Sequence, residues 1–411
     1  MSGAKGILPG TVSYSHANGV PLPRWWSAFV LAQCTWPGSC VARRLLGVVE
    51  RAAVTGRGGR IRELDLARAV ALVAVAIIHS SAWLVASGAS PSAGFLPALA
   101  SLARVCVPAF VLLSGATLWH LYGAPRPPAG WFLRKRASRL LVPWALAVLL
   151  FLLVALYTRE VHDTASLVSW LAYGAGHLYF LLLIAQFYLL FLLLPRGRAA
   201  LWWTALAALV LQEGLDALHT YGPNLSGAAA WAGTYLAQEE FPFWIGLFLI
   251  GCLAGRHLLA ILERYRWWPL ALLVTLIAGW LTLLEGSHVG GSMWQQGTGA
   301  YFWPSRLPFT CAFTLTLLWL GRALAGWLAH VQAAIDVLGQ HSLGIYILHP
   351  LPLVLLGPAT GGWADLPRLL LLLVSTLGFG TLAVLAWSRR GRDVRDVWLA
   401  SHKRPSPSPL V

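Results

Sequence analysis

Residues 62–79 read Arg62-Glu63-Leu64-Asp65-Leu66-Ala67-Arg68-Ala69-Val70-Ala71-Leu72-Val73-Ala74-Val75-Ala76-Ile77-Ile78-His79. An apolar run starts among charged residues and ends on an imidazole. Arg68 and His79 stand eleven positions apart, close to three whole turns of an α-helix at about 3.6 residues per turn. Both side chains therefore fall on nearly one helix face, about 16 Å apart along the axis. The arginine lies near one membrane surface and the histidine well inside the apolar stretch. Ionisable groups inside a membrane span are costly and mark function by default. A cation at the surface suits an anionic cofactor, and an imidazole deeper in suits proton chemistry. Asp65, one turn before Arg68, is placed to orient it as an i,i+3 pair.

The rest of the chain fits the same setting. Apolar residues make up 58% of the 411 positions and charged residues 11%, with a mean hydropathy of +0.67. A soluble domain is about half apolar and a quarter charged. The charges cluster between long apolar runs, the pattern of spanning helices rather than of alternating barrel strands. The fold class expected is an all-α polytopic membrane protein of about ten transmembrane helices. Spans are expected over 65–87, 94–119, 140–158, 177–195, 199–219, 240–256, 267–285, 306–327, 335–357 and 367–388.

The net charge of +15 is mostly arginine, since Lys5, Lys135 and Lys403 are the only lysines. Arginines crowd alternate connections: before the first span, between the second and third, fourth and fifth, and sixth and seventh, and after the tenth. Basic loops stay cytoplasmic, so both termini are expected in the cytoplasm and no nucleic-acid partner is called for. Trp131, Trp202, Trp203, Trp267 and Trp268 stand near span ends, where an interfacial belt belongs. The five cysteines, Cys34, Cys40, Cys106, Cys252 and Cys311, show neither a disulfide framework nor a metal motif.

Three regions follow: 1–59, a poorly ordered cytoplasmic leader; 60–390, the transmembrane domain; and 391–411, a cytoplasmic tail that is polar and Pro-rich from Ser401. Met1 and Met293 are the only methionines, so an alternative product without the leader needs a non-methionine start, for example at Val54.

Other polar residues stand out against the apolar background. Arg104 lies within the second span, too deep for an ordinary loop arginine, and an inward-facing role competes with snorkelling. Ser114 and Gly115 follow on the same span. Packing is the first reading for both, with a substrate-directed hydroxyl the alternative. Arg134, Lys135, Arg136 and Arg139 form a cationic cluster at the mouth of the third span, suited to phosphate. His177 starts the fourth span. Ser342, Tyr346 and His349 share one helix face, and such a face lines protein or a cavity rather than lipid. No P-loop, GxGxxG unit, HExxH, CxxC or GxSxG is present, which argues against an ATP-driven pump and a serine hydrolase. A proton-coupled transporter or a flippase of lipid-linked sugars remains a rival class, though no inverted repeat supports it. A scaffold would leave the intramembrane charges unexplained.

In four blocks the chain resembles the membrane acyltransferase-3 family. They are Leu64 to His79, which fits the family's R-x10-H pattern; Arg104-Val105-Cys106-Val107-Pro108-Ala109-Phe110 through Gly115; Phe132 through Pro143 followed by His177-Leu178-Tyr179-Phe180; and Leu338-Gly339 through His349. The detail is most similar to the branch containing the enterobacterial common antigen O-acetyltransferase. Ala109 and Tyr179 depart from the residues usual in the family.

The resemblance implies a multi-pass enzyme of the bacterial inner membrane. Its donor would be acetyl-CoA or another acyl-CoA, with no metal. Its acceptor would be a glycan or lipid-linked hydroxyl, or a small exported molecule. Arg68, oriented by Asp65, would hold the cofactor phosphates with Arg136 and Arg139. His79 would be the base, Arg104 or Ser114 would stabilise the oxyanion, and His177, Ser342, Tyr346 and His349 would face the acceptor. A covalent acetyl-imidazole and direct transfer both fit. Mass spectrometry of the native amino terminus is expected to find leader peptides; their absence would support the shorter product.

Overall fold

The computed structural model describes residues 61–86, 95–157, 163, 164, 167, 176–221, 241–288, 301–360 and 362–401. The leader 1–59 lies outside them. Among the described residues the chain is all-helical, with no strand. The helices are α1 (Arg62–Ala86), α2 (Phe95–Ala103), α3 (Cys106–Tyr122), α4 (Ala129–Tyr157), α5 (Tyr179–Leu193), α6 (Arg198–Tyr221), α7 (Ile245–Arg256), α8 (Leu258–Glu263), α9 (Trp268–His288), α10 (Arg306–Ala323), α11 (Ala325–Leu328), α12 (Gln332–Gln340), α13 (Ser342–Leu348), α14 (Pro350–Leu356) and α15 (Asp365–Ser401).

Among the described residues six segments are long and apolar enough to cross a membrane: Arg62–Val85, Leu96–Tyr122, Ala129–Tyr157, Gly176–Leu193, Tyr265–His288 and Asp365–Ser388. The other four expected spans fall on α6, α7, α10 and the α12–α14 series. Of these, α7 has only 12 residues, and the α12–α14 series is interrupted at His341 and His349. Large apolar side chains point outward along α4 (Leu146, Leu149, Leu153), α9 (Leu273, Leu276, Ile277) and α15 (Leu366, Leu370, Val374). An apolar belt of this extent is at home against lipid and not against water. The chain is a multi-pass membrane protein.

Two helix boundaries differ from the hydropathy reading. Helix α4 begins at Ala129, not near 140, so Arg134 to Arg139 stand on its first turns instead of in a loop. Arginine and lysine are good helix formers, and a charge ends an apolar run without ending a helix. Helix α15 continues to Ser401, into the region expected as tail.

Helix α1 is the hub. It packs against α2, α3, α10, α12, α13, α14 and α15. It meets α12 at Gly339, where a Cβ would run into the backbone of Asp65. The most extensive helix pair is α3 with α7. There a Cβ on Gly115 would meet the Phe248 carbonyl, one on Gly251 the Leu112 carbonyl, and one on Gly255 the Ala116 carbonyl. Small residues are what let spanning helices touch backbone to backbone, so Gly115 serves packing. Replacing Gly251 by leucine is expected to cost about 1–3 kcal/mol of stability, read as a lower thermal midpoint in detergent. Gly214→Ala, where the added Cβ meets nothing within 4 Å, is expected to raise the midpoint slightly through helix propensity.

Candidate active site

Two prolines shape the site. Pro108, in the first turn of α3, offers no N–H to the Arg104 carbonyl, and its ring crowds that carbonyl. The helix breaks there. The N–H groups of Arg104 and Val105 turn back to the carbonyls of Ser101 and Leu102, at 3.2 and 3.1 Å. Arg104 is thus held at a break inside the membrane, buried, with Nη1 3.4 Å from the Ala100 carbonyl. Its charge reaches His79.

Pro350 acts on His349 in the same way. With no N–H at position 350, the Tyr346 carbonyl loses its helical partner. His349 Nδ1 takes that place at 2.5 Å. A carbonyl only accepts, so Nδ1 carries the proton and Nε2 is left as an acceptor. That Nε2 is sealed and has no hydrogen-bond partner among the described residues. His177 is fixed in the mirror sense, its Nε2 3.2 Å from the Ile347 carbonyl. The Tyr346 hydroxyl in turn donates to the backbone carbonyl of His177.

These anchors gather three histidines from distant parts of the chain. The His79 and His349 rings lie 4.6 Å apart, and the His177 and His349 rings 5.2 Å apart. Tyr346 stands 5.5 Å from His349, and Phe151 packs its edge against His177 at 4.9 Å. Among the described residues no group of three or more His, Cys, Asp or Glu side chains has a metal-holding arrangement.

A cavity of about 200 Å³ adjoins the cluster, with Arg68, Ser114, Arg136, Ser342 and Tyr346 in its lining. The three histidines are not in the lining; Tyr346 is the residue shared by cavity and cluster. Arg68 is held from two sides. Nη1 pairs with Asp65 at 3.2 Å, and Nη2 donates to Thr117 Oγ1 at 2.5 Å. Thr117 itself donates to the Leu113 carbonyl at 2.7 Å. Arg136 lies over the Tyr122 and Tyr188 rings at 5.0 and 5.4 Å. Its Nε is buried without a hydrogen-bond partner among the described residues. The charges of Arg136, Arg68 and Arg139 all act on Tyr188.

The sequence-derived candidates therefore fall into distinct places. Arg68, Ser114, Arg136, Ser342 and Tyr346 share the cavity. His79, His177 and His349 form the cluster. Asp65 is buried behind Arg68, Arg139 is exposed on α4 outside the lining, and Arg104 is near His79. Three residues escaped the sequence reading. Thr117 and Tyr188 line the cavity. Arg306, 2% exposed, donates to the Ser101 carbonyl at 3.0 Å and lies close enough to Arg104 for their charges to interact. Thr117 had a signal, because Phe110, Ser114, Thr117 and Leu118 follow the i, i+4, i+7, i+8 spacing of one helix face. Arg306 had none beyond its charge at the start of an apolar run.

The arrangement joins a cationic, aromatic-walled cavity to an imidazole cluster in which main-chain carbonyls set the protons of His177 and His349. A family model described as an acyltransferase domain, of the acyltransferase-3 type, matches residues 61–387. No curated protein and no solved structure matches the chain.

Accessibility tests the cavity. A soluble thiol reagent is expected to label Ser114→Cys and Ser342→Cys above the background of the natural cysteines. Thr310→Cys, at a position with no exposure, is expected to stay unlabelled. Equal labelling of all three would remove the cavity from the site.

Proposed function

Since the chain belongs to the acyltransferase-3 family and is a membrane acyltransferase, we propose that it moves an acetyl or other acyl group from cytoplasmic acyl-CoA to a hydroxyl. The acceptor is a surface polysaccharide, a lipid-linked glycan or another exported molecule; the branch that modifies the enterobacterial common antigen is one form of this reading. The chain crosses the bacterial inner membrane ten times, with both termini cytoplasmic, as the arginine-rich connections favour. One observation carries the proposal: Arg68 and Arg136, from two helices, meet at a cavity whose Tyr346 wall also packs against His349, beside His79.

In this reading the cofactor phosphates lie on Arg68 and Arg136, with Arg139 adding charge at the mouth. Arginine suits that task through its fork of donors. Asp65 and Thr117 fix the direction of Arg68. The pantetheine arm runs inward past Ser114 and Ser342 and brings the thioester beside His79. An uncharged His79 takes the proton from the acceptor hydroxyl as that oxygen attacks the thioester carbonyl. The resulting oxyanion faces Arg104, whose charge needs little reorganisation to meet it. Collapse breaks the carbon–sulfur bond. The leaving thiolate receives the proton from the imidazolium, giving free CoA and the ester. His349, its Nε2 a buried acceptor, positions the His79 ring, and His177 with Tyr346 frames the acceptor.

Thiol release by the purified protein in bilayers, with acyl-CoA as donor and host-membrane glycolipid as acceptor, tests this directly. His79→Ala is expected to lose about 10²–10⁴-fold in kcat. Arg136→Ala is expected to raise KM for the donor about tenfold, the scale of one hydrogen bond to a charged group. His349→Gln is expected to lower kcat by less than His79→Ala and leave the donor KM unchanged. Full turnover by folded His79→Ala would remove the base assignment, and failure of the wild type to bind acyl-CoA would remove the donor.

A further inference from the structure

Away from the cavity, three arginines from three segments meet at the turn joining α5 to α6. Arg196 donates from Nη1 to the carbonyls of Phe191 and Leu194 at 2.9 and 2.7 Å. Arg126, from the connection before α4, donates from Nη2 to the same Leu194 carbonyl at 2.9 Å. Arg256, the last residue of α7, donates from Nη1 to the carbonyl of Arg196 at 3.2 Å. Arg196 lies against the Trp119 and Phe191 rings at 5.3 and 4.7 Å. Its Nε and Nη2 are sealed and have no hydrogen-bond partner among the described residues. Arg126 and Arg256 are exposed. Among the described residues, none of the three has a carboxylate partner.

Topology explains arginines on this side of the membrane. It does not explain three of them drawn to a single turn. Like charges repel, and a buried donor without an acceptor costs free energy. Burial first, and the neighbouring Arg126 second, lower the proton affinity of Arg196. An anion bound on the exposed Arg126 and Arg256 relieves the repulsion. Two residues along, Arg198 borders a groove of about 540 Å³ walled by Ala199, Trp202, Trp203 and Leu206. Both tryptophans are exposed there, as suits residues at the level of lipid headgroups.

We propose that this turn is a binding site for an anionic phospholipid, with Arg126 and Arg256 gripping the headgroup phosphate above Arg196 and an acyl chain lying in the Trp202–Trp203 groove. The site is distinct from the cavity. Arg136 lies over Phe132 at 5.6 Å and Arg196 over Phe191 at 4.7 Å, and these two phenyl rings stack on each other at 5.7 Å between them. Charge complementarity selects an anionic headgroup over a zwitterionic one, and the apolar groove selects a lipid over a soluble phosphate.

Native mass spectrometry of the full chain in detergent, titrated with phosphatidylglycerol or with phosphatidylcholine of the same acyl chains, reads the site. The wild type is expected to retain phosphatidylglycerol saturably and in preference to phosphatidylcholine. Arg126→Gln/Arg256→Gln is expected to bind it about tenfold more weakly. The variant also loses two main-chain hydrogen bonds, so its thermal midpoint without lipid is measured beside the wild type's and the tenfold loss is read on folded protein. Trp202→Ala/Trp203→Ala is expected to weaken retention of phosphatidylglycerol as well. Unchanged binding by the arginine variant, or no preference between the two lipids, would overturn the proposal. So would displacement of bound phosphatidylglycerol by inorganic phosphate or by adenosine 3′,5′-bisphosphate, which would assign the turn to a soluble phosphate.

Discussion

In the hydrocarbon core of a bilayer no water is at hand for a stray carbonyl, so each one must find its donor within the protein. Pro350 creates such a carbonyl at Tyr346, and His349 answers it. That single bond fixes the tautomer of His349 and leaves its Nε2 a buried acceptor, with the ring 4.6 Å from His79. The pairing of His177 with the Ile347 carbonyl ties the start of α5 to the same helix end. The chemistry of the site is thus built from the local cost of interrupting a helix where nothing else would satisfy it. Pro108 applies the same constraint one helix away and leaves Arg104 at a break instead of on a regular turn.

Close packing supplies the second requirement, which is registration. The cavity draws on α1, α3, α4, α5 and α13, and its geometry depends on helices meeting at fixed heights. Gly339 seats α12 directly on Asp65, the residue that holds Arg68. The Gly115, Gly251 and Gly255 contacts lock α3 to α7 with backbone against backbone. Ser114 and Gly115 are neighbours with opposite duties: one hydroxyl lines the cavity while the adjacent missing side chain permits the helix pair.

Much of this was legible in the chain. The eleven-residue spacing of Arg68 and His79 and the i,i+3 relation of Asp65 to Arg68 are consequences of helical pitch alone, and the apolar runs mark where the helices lie. The shared face of Ser342 and Tyr346 likewise follows from spacing. What spacing could not provide was the meeting of His79, His177 and His349. It is made by contacts across 170 and more residues, through carbonyls that no side-chain pattern reveals. The start of α4 was misplaced because hydropathy registers charge and ignores the helix propensity of arginine. Arg139 was grouped with Arg136 by proximity in sequence, yet only Arg136 turns toward the cavity. Three positions along a helix is a net offset of about 60°, so Arg136 stands on the stripe that lines the cavity and Arg139, exposed, lies past its edge.

Anchoring imidazoles to main-chain oxygens has a consequence for how this site tolerates change over evolutionary time. Residues 346 and 347 offer their carbonyls whatever side chain they bear, so drift at 347 leaves the orientation of His177 intact. Position 350 is different. Any other amino acid there restores an amide proton that shares the Tyr346 oxygen with His349, since a carbonyl has two lone pairs. The helix would regain one regular bond, and the imidazole would be held less firmly. The residue with no reactive group of its own therefore sets how tightly the cluster is aligned.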